Sequence, residues 1–573
     1  MLPPEVTRIV LLIGLAATAY LMILAWNDDM QAAKEVPTYS AAPLTDAPAA
    51  VTPPTMDVPT IAEVGENPDI PVVADGETEV VETESAVATE SSSLVTVFTP
   101  TLKVWIDTLG GNIVRVQLPS FPIDLEHPDI PYLLLERNAT HTYVAESGLA
   151  GKDGTHVKGR PRYQPAMMHY DVLEGDTVDV VLTYRNEDVD VTKIFTFRGD
   201  DHLVDVRYAV KNASSTPKHM AMFAQIRRDA KSPPTDESFA LAPQPYVGAA
   251  VTTPEERYKK IDFEDIEDEG SIRDENIQGG WVAFLQHYFV SAWIPPADQV
   301  HDYDARRGRD GLYRFSYAAK SRAIQPGEVG EWHSQFYAGP KDQKRLEDIS
   351  PNLNLTVDYG FLWWLAVPLF AILDWLHGLV GNWGLAIILL TVVVKAALYP
   401  LSAAGYKSMA NMRRVAPAMK RLQERYGNDR EKLSREMMAL YKKENANPLG
   451  GCLPMLLPMP IFIALYWVLF ESVELRQAPF FGWIEDLAVM DPYFILPLLM
   501  GGSMYYMQTL NPQVGDPMQV RMMKMMPIMF TVLFLFFPAG LVLYWLVNNI
   551  LSVAQQQFVY KQVEKAQAAG AKG

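Results

Sequence analysis

Five apolar stretches, residues 383–401, 451–470, 492–510, 525–537 and 540–560, contain no Asp or Glu. A helix needs about 20 predominantly apolar residues to cross roughly 30 Å of hydrocarbon. In lipid only helices and closed barrels satisfy every backbone polar group, so these stretches restrict this part of the chain to a bundle of membrane helices. Pro538-Ala539-Gly540 divides the run 525–557 into two spans joined by a tight turn. The span before that turn is short, and local thinning of the bilayer is expected there. Residues 359–380 are also apolar but hold Pro368, Asp374 and His377 beside Trp363, Trp364 and Trp375. Tryptophan-rich amphipathic helices lie in the interface, and this one is read so. Ile9 to Trp26 is apolar almost throughout. It is longer than the core of a cleaved signal peptide, about 7–15 residues, and lacks a small-residue cleavage site. Residues 1–26 are therefore expected to be a retained transmembrane anchor, a cleaved signal being the alternative.

Charge orients the spans. The loop 402–450 carries eleven Lys and Arg against five acids, whereas 471–491 carries five acids against Arg476. Short basic loops stay cytoplasmic. Arg521 and Lys524, and then Lys561, Lys565 and Lys572, mark the inner side again. The expectation is a polytopic α-helical membrane protein of six transmembrane helices with both termini in the cytoplasm. If 359–380 also spanned, the basic loop would be exported, which favours the interfacial reading.

The remainder is a different kind of chain. Residues 27–360 hold 30 bases and 54 acids, against 18 and 13 in 361–573. That asymmetry points to two compartments and argues against nucleic acid as a direct partner. Cys452 is the single cysteine, so no intrachain disulfide forms. Residues 27–94 have no Lys or Arg after Lys34 and no aromatic after Tyr39. Such a segment cannot bury enough apolar surface to order itself, and it is expected to be a disordered acidic linker. From Val95 the pattern alternates at period two, as in "TLKVWIDTLGGNIVRVQL" with its Gly110-Gly111 turn. Residues 95–350 are thus expected to form an antiparallel β-sandwich. They contain no HExxH, GxSxG, P-loop or Cys/His metal spacing. Catalytic residues, metal ligands and cofactors are accordingly not assigned.

Lys395 lies inside the span "LLTVVVKAALYPL". A lysine at the bilayer centre costs about 2.5–3.5 kcal/mol on insertion scales, and no span supplies a carboxylate for it. Three readings remain: a side chain that snorkels toward the cytoplasm near Pro400, a proton or ion relay, or a wet cavity between helices where an incoming charge pairs with it. A relay normally uses intramembrane carboxylates, and there are none. Trp545, Asn548, Ser552 and Gln555 fall at i, i+3, i+7 and i+10, on one face of the last span, and Thr391 precedes Lys395 by one helical turn. Interhelical hydrogen bonding accounts for such a stripe alone; together with an unpaired lysine, it favours a hydrated groove. Methionine is concentrated after residue 361, with 17 of 25, which suits adaptable apolar contacts as well as ordinary packing. Gly427-Asn428-Asp429 splits 402–450 into a helical hairpin. Met409, Met412, Met419 and Leu422 are expected to face Leu433, Met437, Leu440 and Tyr441. Arg413, Arg414, Lys420 and Arg421 lie outside, a solvated face by default and one that also suits an acidic or ribosomal partner.

"VVVKAALYPL", "EMMALYKKENANPLGGCLPMLLPMPIFIALYWVLFESVELRQAPF", "DPYFILPLLM" and "FPAGLVLYWLVNNILSVAQQQ" closely resemble the YidC membrane protein insertase family over about residues 355–560. The anchor, acidic linker and β-domain resemble its Gram-negative form. The resemblance implies an inner-membrane insertase and chaperone for nascent membrane proteins, not an enzyme, acting alone or with the Sec translocon. It implies a periplasmic β-supersandwich and a five-helix core at 351–573 around a hydrophilic groove. Lys395 maps onto the groove's positive charge, and Thr391 and Trp545 onto positions that meet substrate. Ribosome and signal-recognition machinery follow as partners. The chain departs twice, with Lys395 where many relatives have Arg and Pro458 where a Gln is common. A small-solute transporter is disfavoured by the lack of an inverted repeat; a membrane-anchored periplasmic chaperone is the other alternative.

Overall fold

The computed structural model describes residues 93–157, 159–231, 245–426, 429–444, 458–510 and 517–570. The expected anchor 1–26, almost all of the linker 27–94, the start of the span 451–470, and Gly427 and Asn428 lie outside them.

Among the described residues, strands between Leu94 and Pro340 form one sheet of eleven strands and another of nine. Leu94–Phe98 pairs in parallel with His169–Asp171, and the other ladders are antiparallel. Period-two burial drives the layering. Val189–Arg198 buries every second side chain, and Leu94–Phe98 buries Val95 and Val97. Ile106 and Val116 from the first sheet meet Val206 and Phe336 from the second in one core. Gly110 and Gly111 turn the chain with φ of 87° and 63°, a left-handed conformation that glycine adopts without a Cβ clash.

Lys193 sits in that core with 0% exposure. Its ammonium donates to the carbonyls of Gly111, Ser147 and Gly110 at 2.6, 3.1 and 3.4 Å, so all three of its donors are used. Glu146, also buried, pairs with Arg227 at 2.9 Å and Arg160 at 3.1 Å. Burial alone would raise its carboxyl; Arg160 and Arg227 override burial and hold it at about 2, below the usual 4.5. The native state then binds fewer protons than the unfolded chain between these values. The stabilisation is present above pH 4.5 and is lost as pH falls toward 2. The full-length protein should therefore lose melting temperature faster on acidification below pH 4.5 than its Glu146→Gln variant. Parallel curves would remove Glu146 as the cause.

Ten α-helices are described: α1 Phe263–Glu269, α2 Gln343–Ile349, α3 Trp363–Val380, α4 Trp383–Ala397, α5 Tyr399–Tyr426, α6 Arg430–Lys443, α7 Met459–Glu471, α8 Ile495–Thr509, α9 Pro517–Phe534 and α10 Ala539–Gly570. Leu369, Ile387, Leu465, Met500, Phe534 and Val542 bring α3, α4, α7, α8, α9 and α10 into one apolar core. At Gly501 the helices α8 and α9 approach so closely that a Cβ would collide with Thr531 Oγ1.

Several boundaries differ from the sequence expectation. The stretch 383–401 is not one helix: α4 stops at Ala397, and α5 leaves at 69°. Pro400 has no N–H for the Ala396 carbonyl, and its ring clashes there. Of the stretch 525–537, the residues up to Phe534 are the second half of α9, which starts at Pro517, as proline is tolerated in a first turn. The stretch 540–560 continues as helix to Gly570. Strand structure begins at Leu94 rather than 95, and Leu353, past the expected boundary at 350, packs with the β-domain through Trp281 and Leu346. By length and composition Gly360–Val380 is apolar enough to cross a membrane, as is the bent pair α4–α5 taken together, whereas α7 has 13 residues.

Residues 472–494 close one end of the bundle. The Ala539 and Gly540 amides donate to the carbonyls of Val489 and Leu487 at 2.7 and 2.9 Å. Buried Asp491 accepts from Trp483 Nε1 at 2.9 Å, Tyr493 N at 3.0 Å and Leu496 N at 2.6 Å. One carboxylate thereby ties the loop to the start of α8.

Candidate functional site

Lys395 projects from α4 toward α10 and is 5% exposed. Its ammonium donates to Ser552 Oγ at 2.7 Å, and that hydroxyl donates to the Asn548 carbonyl at 2.6 Å. Gln555 Nε2 reaches the Lys395 carbonyl at 3.3 Å, while Gln555 Oε1 is buried without a partner among the described residues. The ammonium is thus not free: it has one neutral hydroxyl acceptor. No described carboxylate pairs with it. Lys193 shows what a structural buried lysine obtains from this chain, namely three carbonyl acceptors; Lys395 has one. A hydroxyl satisfies a donor but does not neutralise a charge, and an uncompensated buried charge is costly.

The stripe on α10 is one-sided. Asn548, Asn549, Ser552 and Gln556 are buried, whereas Ile550 and Phe558 are exposed. Asn549 Nδ2 bonds Ser503 Oγ of α8 at 3.1 Å, so part of the stripe does hold helices together. Thr391 is buried, and its hydroxyl returns to the Ile387 carbonyl of its own helix at 2.7 Å. Trp545 stands apart from the lysine in an aromatic cluster. Its ring centroid lies 4.4 Å from Phe462, 5.3 Å from Phe534 and 6.4 Å from Phe530, and its indole N–H is buried without an acceptor among the described residues. Geometry therefore joins Lys395, Asn548, Ser552 and Gln555, with Thr391 one turn from Lys395 and Trp545 in a neighbouring apolar wall.

The basic hairpin is formed by α5 and α6. Arg413, Arg414, Lys420 and Arg421 are exposed, and Asp429 caps α6 by accepting from Lys432 N at 3.0 Å. Met412, Val415 and Met419 pack against Met437, Leu440 and Tyr441. Met409 does not face α6 as expected; with Tyr406 it packs against Val559 and Tyr560 of α10. The bend at Pro400 turns this first stretch of α5 toward α10.

Residues 375–566 match the family model described as 60Kd inner membrane protein, and residues 94–372 match the YidC periplasmic domain. The chain is 48% identical over 563 residues to the membrane protein insertase YidC of Cellvibrio japonicus, covering 97% of this chain and 98% of that one. It is 46% identical over 565 residues to its namesake from Azotobacter vinelandii, covering 98% and 99%. The chain belongs to the YidC membrane protein insertase family. A solved structure, "Active YidC insertase crystal structure with the first transmembrane domain resolved", covers 81% of this chain and 92% of its own at 17% identity and a TM-score of 0.37. The activity that names the family is insertion rather than a covalent reaction. Its two family models assign the β-rich part of this chain to the periplasm and the helical part to the inner membrane.

One feature of this YidC family member escaped the sequence reading. Lys341 and Glu471 form an ion pair at 2.8 Å between the end of the β-domain and the end of α7, each side chain only 3% exposed. Nearby, Arg476 donates to the Pro122 and Ile123 carbonyls at 2.7 and 2.9 Å, and His287 Nε2 lies 2.8 Å from the Phe470 carbonyl. Glu471 directly follows an apolar run, a signal that a charge count over 471–491 averages away. Its partner lies 130 residues away in sequence, and no local pattern joins the two.

Proposed function

We propose that this chain inserts and folds nascent inner-membrane proteins through a groove whose single positive charge is Lys395. Apolar client residues supply the drive: about 20 of them at roughly −0.3 to −0.6 kcal/mol each favour lipid. The obstacle is the polar flank of the client, because desolvated polar groups cost several kcal/mol each. A hydrated path between α4 and α10 shortens that crossing, and Lys395 attracts an acidic flank. The observation that carries this reading is the ammonium with one neutral acceptor and no carboxylate among the described residues. The six-span topology with both termini cytoplasmic, an interfacial α3, and work alone or with the Sec translocon, the ribosome and the signal-recognition machinery belong to the same reading. No cofactor or nucleotide enters it. Site-specific photocrosslinking from positions 391, 395 and 545 to ribosome-stalled nascent membrane chains tests it. Adducts are expected from all three positions and not from exposed Ile550 on the opposite face. Equal labelling at position 550 would count against a groove.

A further inference from the structure

A cavity of about 330 Å³ opens where α7 meets the β-domain. Its walls include Tyr246 and Lys260 from the β-domain, Asp358 from the connecting segment, and Trp467 and Glu471 from the last turns of α7. That volume lies at the lower end of small-ligand sites, about 300–1,000 Å³. The Lys260 ammonium stands 4.6 Å over the Tyr246 ring and 5.6 Å over the Tyr258 ring, paired with the Asp358 carboxylate. The Tyr258 hydroxyl is buried behind the cavity wall, without a partner among the described residues.

These residues bring both signs of charge to the cavity wall. Two carboxylates and two ammonium groups meet here, and they differ in strength. Lys341 and Glu471 are sealed, whereas Lys260 and Asp358 keep 39% and 26% side-chain exposure. An exposed pair is worth only about 0–1 kcal/mol, so it opens readily. The lysine itself shows that a primary ammonium fits over these rings and against Asp358. A quaternary ammonium could use the rings but has no N–H for the carboxylate. If Lys260 swings to a phosphate, a ligand's ammonium can take its vacated place against Asp358 and over the Tyr246 ring. Tryptophan at the end of an apolar helix marks headgroup depth.

We propose that this cavity binds the phosphoethanolamine headgroup of an outer-leaflet aminophospholipid. The proposal rests on the membrane placement of α7 given above. Its test uses the full-length protein in detergent and native mass spectrometry. Phosphatidylethanolamine, phosphatidylcholine, phosphatidylglycerol and free phosphoethanolamine are titrated separately. Phosphatidylethanolamine is expected to bind about tenfold tighter than the other two lipids, a difference of one charge-assisted contact. Asp358→Asn should abolish the preference for phosphatidylethanolamine over phosphatidylcholine, whereas Lys260→Ala should weaken both severalfold. Equal retention of all three lipids, or unchanged binding in both variants, overturns the site. Free phosphoethanolamine binding as tightly as the lipid overturns the membrane source. No client or ribosome is present in this assay. Its failure is therefore separable from failure of the insertase reading, which crosslinking at position 395 reports.

Discussion

Lys395→Glu should lower insertion of clients with acidic translocated segments by about tenfold or more, while Lys395→Arg retains most activity. The estimate is electrostatic. Two unit charges 4 Å apart interact by about 1 kcal/mol in water and about 4 kcal/mol at an effective dielectric of 20. Reversing the sign turns that attraction into repulsion, and each 1.4 kcal/mol is about a factor of ten. Arginine keeps the charge and changes its shape. Clients with neutral flanks provide the internal control, because damage to folding would depress them equally. The measurement is protease protection of matched acidic and neutral clients in proteoliposomes. A Lys395→Glu variant that inserts both as well as the parent would remove the electrostatic step.

A second large effect is expected where the β-domain meets the membrane helices. Lys341→Met leaves the Glu471 carboxylate buried without its cation. Breaking such a pair from one side costs about 3–5 kcal/mol, whereas replacing both partners by apolar residues is often neutral. Lys341→Met should therefore lower the thermal midpoint of the full-length protein markedly, and adding Glu471→Met should recover most of the loss. The double-mutant cycle reads the coupling directly. If the two changes simply add, the residues do not act as a pair.

The sequence carried the large divisions of this molecule because composition and period report them. Alternation at period two announced the sheets, and the Gly110-Gly111 turn lies where it was read. Runs without acids announced the helices, and the polar face of α10 was visible at Asn548 and Ser552. Helix ends were less legible. Pro400 marks a break inside an apolar run, and hydropathy averages across it. Met409 was misplaced because a heptad-like pattern gives a face but not the neighbour that covers it. The Lys395–Ser552 bond and the Lys341–Glu471 pair join residues 157 and 130 positions apart. Contacts of that range follow from tertiary packing.

The 69° bend after Ala397 has a mechanical consequence. Beyond it, α5 is pinned to α10 by Tyr406 and Met409 before it pairs with α6. A load on the hairpin tip therefore meets a fulcrum at α10 and reaches Lys395 only through a short arm. Tugging by a docked machine would swing the outer hairpin widely while hardly displacing the charge.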